Sequence, residues 1–578
     1  MNFLAAHGLP ARWQGQPSFT FLQFDFANGQ GFLQTWQAWQ KDQKRSQRLH
    51  YLAFVSHKTP PACPHPDLAE FYATLIQNWP ALCKGFQRLH FAAGDVILTL
   101  IWGDTLNQLR SVSATIDAMD LNAPTSPAHY KALWRLSSAN TQLVAYNNAD
   151  ADAALQKSSG FDMAKYGGYY AGFCVRPPID KSNKYPHQAL IIGAGLAGTS
   201  IAERLASRGW FIDIIDAAPN VATKSSGNHA GLFHPSASRD DNYAARLSRV
   251  GCAETQQHLQ RLKQAKLEVF FGNDGILQIA KDDAQAVLMQ EIALQYPANL
   301  LKWLSQNDAE VQLGARPSHG GWWFAQGGWA NPASICQANL ARWPKRITTH
   351  FGHKVDRIHQ TTEGWQAIAA DGRVIASSPV LIISNATEAL DLLPELELPL
   401  SKTLRSTSLI ADFEHPKYSL SGSGYLTAAF QGYRCIGAAE IKDNDLHAAA
   451  TNNLAELHAL LPDLATKTTR SSRACYRPNS LDRLPLVGAL HDPKNIPMAL
   501  HQLHQIPRQK GLYGLLGLGS RGLSWAIIAA EVLACQLNND PAPLEADLIQ
   551  AIDPTRFLLR KHRRSMKNLS TSLQQTEQ

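Results

Sequence analysis

Short apolar runs separated by polar breaks mark the first third of the chain. "RLHYLAFVS" (48–56), "DVILTLIWGD" (95–104) and "NTQLVAYNN" (140–148) are rich in aliphatic and aromatic residues and bounded by polar ones, which predicts strands. "LAEFYATLIQNW" (68–79) instead repeats its apolar positions at helical spacing. Alternation of the two kinds of segment predicts an α/β domain. At "VRPPIDKSNKYPHQ" (175–188) proline and polar residues replace the apolar pattern, as a linker does. With 578 residues the chain is too long for one core. We therefore expect domains at 1–180 and 188–578, joined by a linker at 181–187.

The second domain opens on the strongest local signal. "QALIIGAGLAGTSIAERLASRGWFIDIIDAAP" (188–219) reads as strand, glycine turn, helix and second strand. Gly193 permits the tight turn, Gly195 lets backbone approach a pyrophosphate, and Gly198 lets the helix pack closely on the strand. Asp216 ends the second strand, where a carboxylate accepts hydrogen bonds from an adenosine ribose. The helix N-terminus faces the phosphate charge. This combination predicts a dinucleotide site. Near the C-terminus, Gly517-x-Gly519-Ser520-Arg521-Gly522 precedes an apolar helix whose first amides suit a flavin pyrimidine. A returning segment of this kind points to FAD rather than NAD. "KSSGNHAGLFHP" (224–235), with Ser226, Gly227 and Asn228, is a small-residue loop fit to pass beside the isoalloxazine.

Charge and cysteine usage narrow the picture. Eight cysteines are scattered with no C-x-x-C pair, which argues against a zinc site, so no metal is expected. No apolar stretch is long enough to span a membrane and the N-terminus has no secretory signal, so we expect a cytoplasmic protein without a membrane partner. The net charge of +7 is unremarkable by itself. Its clustering is not: from Arg556 to Lys567 the chain carries six basic residues, among them Arg560, Lys561, Arg563 and Arg564, and no acid. A polyanion would meet concentrated charge there.

These motifs resemble the D-amino-acid oxidase and glycine oxidase family. "SSGNHAGLFHP", "FAQGGWANPASICQANL", "CIGAA", "RACYRPNSLDRLPLVG", "LGSRGL" and "LIQAIDPTRFLLRK" are more closely similar to the second half of the bacterial bifunctional family that builds 5-methylaminomethyl-2-thiouridine in tRNA. The resemblance implies an FAD-binding Rossmann domain with an interleaved antiparallel substrate domain. It also implies oxidative removal of the carboxymethyl group of a wobble uridine, with tRNA rather than DNA as the partner. Arg477 matches the position where glycine oxidases bind the substrate carboxylate, a task suited to a guanidinium fork. Arg521 and Arg473 are the other catalytic candidates. An ion pair of Arg477 with Asp482 is the structural alternative. Two other functions stay open: a free amino-acid or sarcosine oxidase, and a tRNA-binding protein with vestigial catalysis.

In the same family the first domain is an S-adenosylmethionine-dependent methyltransferase with a Rossmann-like fold and a G-F-G-T-G-L-N-F loop. "QFDFANGQGFLQTW" (23–36) aligns with that loop, but Asp25 and Ala27 stand in place of the first two glycines and only Gly29 is kept. Ser56 or His57 occupies the place of the ribose-binding acid. Gly103 and Asp104, and Asp120, Ala123, Pro124 and Pro127 of "MDLNAPTSP", match later motifs. The alignment also begins late relative to the family. We expect a methyltransferase fold whose cofactor site has eroded, with Gly29, Gly103, Asp104 and Asp120 as its residue.

Overall fold

The computed structural model describes residues 3–63, 65–121, 126–146, 159–166, 169–179, 185–442, 445–465 and 467–564. Ala123, Pro124, most of the expected linker (181–184) and Lys567 lie outside these. The chain divides into two compact units: 1–184 with 535–547, and 185–534 with 548–578. Residues 535–547, which the sequence placed with the second domain, thus belong to the first unit.

The first unit is built on an eight-stranded sheet. Its strands are β1 (Ser18–Gln23), β2 (Arg48–Val55), β3 (Gly85–Phe91), β4 (Val96–Trp102), β5 (Ile116–Leu121), β6 (Ser137–Tyr146), β7 (Phe161–Tyr166) and β8 (Tyr169–Cys174). They lie in the order β3-β4-β2-β1-β5-β6-β8-β7. Strands β4, β2, β1, β5 and β6 run parallel, and β3, β8 and β7 add antiparallel edges. β2 and β4 are buried along nearly their whole length, as strands covered on both faces are. The order reverses between β1 and β5, so a ligand of this doubly wound sheet belongs at their carboxyl ends. Residues 535–547 add to the same unit: Arg88 donates to the Pro541 carbonyl (2.7 Å), His50 lies 3.5 Å from Asp540, and the Ala542 amide donates to the Ser113 carbonyl (2.9 Å).

The second unit contains two large sheets whose strands interleave along the chain. The first has six strands in the order Ile347–Phe351, β10 (Phe211–Asp216), β9 (Gln188–Ile192), Val380–Ile383, Arg508–Leu516 and Leu486–His491. Its neighbours are parallel except at the last pair. The second is an eight-stranded sheet, largely antiparallel, centred on the long strands Leu400–Ala411 and Thr469–Ser480. β9 is apolar and buried beyond its first residue and lies at the middle of the parallel sheet, which fixes the glycine turn that follows it at the sheet's carboxyl edge. No helix among the described residues is long and apolar enough to cross a membrane, and no cluster of three metal-ligating side chains occurs among them.

Candidate functional site

A cavity of about 870 Å³ opens at the carboxyl edge of the parallel sheet. The β9 turn forms one wall. Gly193 has φ +107°, outside the range that side chains favour. A Cβ on Gly198 would stand 1.8 Å from the Gly193 carbonyl oxygen, so this glycine serves packing and does not line the cavity. Gly195 does line it, at the N-terminus of the helix Leu196–Ala206. Asp216 takes the Ala194 amide (2.7 Å) on one oxygen and the Ala218 amide (2.9 Å) on the other. Those two bonds hold its carboxylate at the cavity wall with lone pairs to spare.

The loop 223–228 closes a second side. Ser226 Oγ accepts the Leu196 amide (3.0 Å), and Ser226 and Asn228 line the cavity. Gly227 does not; a Cβ there would lie 2.3 Å from the Ala222 carbonyl oxygen, so it serves the turn itself. The glycine-rich return supplies the far end. The Gly519 amide donates to the Pro478 carbonyl (2.7 Å), which ties Gly517, Gly519, Ser520 and Gly522 to the strand carrying Arg477. All four line the cavity. The residues suit FAD: a helix N-terminus, a fixed ribose-side carboxylate and a chamber within the usual size of ligand sites. Asn228 Oδ1 and Asn385 Oδ1, both on its wall, are buried with no hydrogen-bond partner among the described residues. Sequence reasoning missed Ser384, Asn385, Glu388, His353, Lys354 and Tyr425, which also line it. His353, Lys354, Ser384, Asn385 and Glu388 follow strands that carry no glycine fingerprint, and Tyr425 lies on a short strand of the second sheet, so the sheet order brings them here.

The three catalytic arginine candidates have different surroundings. Arg477 is 7 % exposed, lines the cavity, and makes one long hydrogen bond, to the Ser225 carbonyl (3.5 Å). The alternative ion pair with Asp482 does not form, because Asp482 accepts from Arg556 (2.7 and 2.9 Å) and Arg560 (2.8 Å). Arg477 pairs with no carboxylate among the described residues. Arg473 does not line the cavity; its guanidinium binds the Thr223 (2.6 Å), Lys224 and Gly227 carbonyls, holding the 223–227 loop. Arg521 lines the cavity, donates to Ser236 Oγ and lies over the Trp525 ring (5.6 Å). Tyr425 completes this end, its hydroxyl 3.3 Å from Cys435 Sγ. Burial pushes the Tyr425 phenol well above its ordinary value, so it stays protonated at neutral pH.

Part of the basic tail is engaged within the fold. Arg556 is buried on Asp482 and the Leu484 and Pro485 carbonyls, so it is a structural residue. Arg560 shares Asp482, and Lys561 lies 3.2 Å from Glu397. Arg563 meets only a neutral acceptor, the His501 carbonyl, in the bonds the structure gives it. Arg563 and Arg564 are exposed.

In the first unit the carboxyl ends of β1 and β5 meet at Gln23 and Asp120, which are in register. Gln23 Nε2 donates to Asp120 Oδ2 (3.3 Å), Tyr51 Oη donates to Gln23 Oε1 (2.8 Å), and His7 Nε2 lies 3.4 Å from Asp120 Oδ1. All four residues are at most 5 % exposed. In the loop after β1, Asp25 Oδ1 accepts the Ala27 amide (3.0 Å) and Asn28 Oδ1 the Gln30 amide (3.2 Å). Ala27 keeps a left-handed φ of +44°, a glycine conformation held by an alanine, and Gly29 has φ +73°. Ser56 and His57, after β2, are exposed and neither is an acid. Gly103 (φ +136°) packs on Gln108, and Asp104 caps the helix Thr105–Ser111 through the Asn107 amide. The methyltransferase candidates are thus engaged in the fold.

Residues 188–536 match the FAD dependent oxidoreductase family, and residues 66–169 match an S-adenosyl-L-methionine-dependent methyltransferase family. Among solved structures, glycine oxidase from Geobacillus kaustophilus aligns with a TM-score of 0.54 at 16 % identity over 64 % of this chain and 99 % of its own. Iminodiacetate oxidase from Chelativorans sp. BNC1 aligns with a TM-score of 0.52 at 21 % identity over 63 % of this chain and 98 % of its own. These likenesses establish the fold of the second unit. The tRNA 5-methylaminomethyl-2-thiouridine biosynthesis bifunctional protein of Azoarcus sp. (strain BH72) is 38 % identical over 97 % of this chain and 93 % of its own length. That of Aromatoleum aromaticum is 36 % identical over the same shares. The chain belongs to the family of tRNA 5-methylaminomethyl-2-thiouridine biosynthesis bifunctional proteins.

Proposed function

We propose that the chain removes the carboxymethyl group of 5-carboxymethylaminomethyl-2-thiouridine at the tRNA wobble position, leaving the 5-aminomethyl form. The observation that carries this reading is Arg477, a buried cation on the cavity wall with no carboxylate beside it. Leaving a buried charge uncompensated is costly, so an anionic substrate group at that position is favoured twice, by charge and by geometry. The substrate arm is a secondary amine whose far carbon bears a carboxylate. Hydride leaves that carbon, the nitrogen loses its proton, and a C=N bond forms. Water adds to the carbon, the C–N bond breaks, and glyoxylate leaves the primary amine on the uridine. FAD, when bound, supplies the two-electron acceptor. Arg477 holds the carboxylate and thereby fixes which carbon reacts. The protonated Tyr425 offers a hydroxyl on the same wall.

The Leu196–Ala206 N-terminus, Asp216 and Asn228 hold the cofactor from one side and the 517–522 turn from the other. Among the described residues, Arg563 and Arg564 are the tail arginines left to meet phosphate. The test is Arg477→Lys, which keeps the charge and loses the fork. Hydrogen bonds to charged groups contribute about 1.5–3 kcal/mol, so kcat/KM on tRNA should fall about 10- to 150-fold with the flavin spectrum unchanged. Nucleoside mass spectrometry reads the product. Equal turnover of free glycine or sarcosine would favour a simple amine oxidase, and unchanged turnover of tRNA would remove Arg477 from the substrate site.

A further inference from the structure

The carboxyl ends of β1 and β5 are where a ligand of the first sheet belongs. In this chain that place is filled from within. Gln23 bonds to both Tyr51 and Asp120 in a buried group, and His7 Nε2 lies 3.4 Å from Asp120 Oδ1. The Phe3 ring, from the first helix (Phe3–Ala6), packs on His7 (5.1 Å) and Phe21 (5.5 Å), and Phe21 stacks on Tyr51 (4.9 Å, 4° between planes). Three of these side chains converge over the start of the helix Gln30–Lys41. A Cβ on Gly31 would meet Gln23 Nε2 at 2.9 Å, Tyr51 Oη at 3.0 Å and Phe3 Cζ at 3.1 Å. A methionine moiety approaching the β1 loop meets this packing and the Asp25 carboxylate, which repels its own carboxylate. Two loop amides that would face it, those of Ala27 and Gln30, are held by Asp25 and Asn28. At the end of β2, Val55-Ser56-His57-Lys58 offers no acid for ribose hydroxyls.

S-adenosylmethionine does not fit these residues. We propose that this chain does not bind it, and that its own reaction ends at the primary amine. The methylamine that relatives' names specify then requires a second protein, an N-methyltransferase acting on a primary aminomethyl group on tRNA. The conclusion about the product rests on the proposed oxidation; the conclusion about the cofactor does not.

Two measurements on the full-length FAD-loaded chain separate them. Equilibrium dialysis against labelled S-adenosylmethionine should give no binding tighter than about 1 mM. Incubation with tRNA bearing the carboxymethylaminomethyl group, with S-adenosylmethionine present, should yield the aminomethyl nucleoside and no methylaminomethyl nucleoside. Micromolar binding, or a methylated product, overturns the proposal. If the carboxymethyl group survives, the oxidation reading fails while dialysis still decides the cofactor. Restoring the loop glycines in Asp25→Gly/Ala27→Gly should leave binding weaker than about 1 mM, because Phe3, His7, Gln23 and Tyr51 still fill the crevice. Recovery of micromolar binding in that variant would show that the crevice is open and the proposal wrong.

Discussion

Replacing Gly198 with alanine sets a methyl group 1.8 Å from the Gly193 carbonyl oxygen, 2.7 Å from Ser384 Oγ and 3.0 Å from the Gly193 carbonyl carbon. Carbon and oxygen normally stand more than 3 Å apart, so backbone must move, and no flexible side-chain tip relieves the clash. The helix Leu196–Ala206 has to lift from β9, taking with it the amides that face the cofactor. Overpacking of this kind costs about 1–3 kcal/mol. If the native spacing is needed for binding, the same energy appears as an FAD Kd weaker by about 5- to 150-fold. Gly195→Ala is the control. Its Cβ meets only the Ser226 side chain, Oγ at 3.0 Å and Cβ at 3.9 Å, so the apoprotein accepts it while the cavity side of the turn is obstructed. Urea unfolding of the two apoproteins and FAD titration by flavin fluorescence separate the effects. Gly198→Ala should lower both stability and affinity, Gly195→Ala affinity alone. Wild-type stability and affinity in Gly198→Ala would show that helix and strand are not packed as described.

Neutralising Arg563 and Arg564 should lower the log–log salt slope of tRNA binding by about 1–2 units, whereas Arg560→Gln should barely change it because Asp482 already offsets that charge; equal slopes for all variants would reduce the tail to a solvated end. Burial, reinforced by the Arg204 charge, pushes His258 down to about 3, so the folded state binds its proton far less readily than the unfolded chain. Its contribution to stability is full above pH 6.5 and is lost as pH falls toward 3, about 2 kcal/mol by pH 5. His258→Gln should shrink the difference in unfolding free energy between pH 7 and pH 5 by that amount, and an unchanged difference would contradict the assignment. A fragment of residues 1–184 should be less stable than the same unit in the full chain, since it lacks the partners of Arg88, His50 and Ser113 in 535–547; equal protection of β2 and β3 amides from hydrogen exchange would refute this.

The parallel-sheet wall of the cavity was legible because its signal is local. A glycine turn, its helix and the acid two elements later sit within thirty residues, and each constraint is set by backbone geometry. The other wall was legible only in part. Gly517 to Gly522 announced a turn, but Ser384, Asn385 and Tyr425 reach the cavity through sheet pairings that no local pattern encodes. The same holds for residues 535–547. Their sequence continues an apolar helix, and only long-range contacts assign them to the first unit.

Arginine roles show why residue type and motif position were insufficient. Within "RACYRPNSLDR" (473–483), Arg473 and Arg477 lie four residues apart on one strand. Arg473 meets three carbonyl oxygens of the 223–227 loop, so its charge is spent on neutral acceptors that shape the cavity. Arg477 reaches one carbonyl at 3.5 Å and keeps its donors for the cavity. Asp482, an acid between them and the tail in sequence, is engaged elsewhere. Burial alone would raise the Asp482 carboxyl, yet hydrogen bonds and charge from Arg556, with Arg560, hold it at about 2, so it is ionised and engaged by residues 74 and 78 positions further along the chain. The basic tail, read from sequence as an RNA contact, is thus partly structural: Arg556 and Arg560 hold Asp482, and Arg477 keeps no carboxylate partner among the described residues.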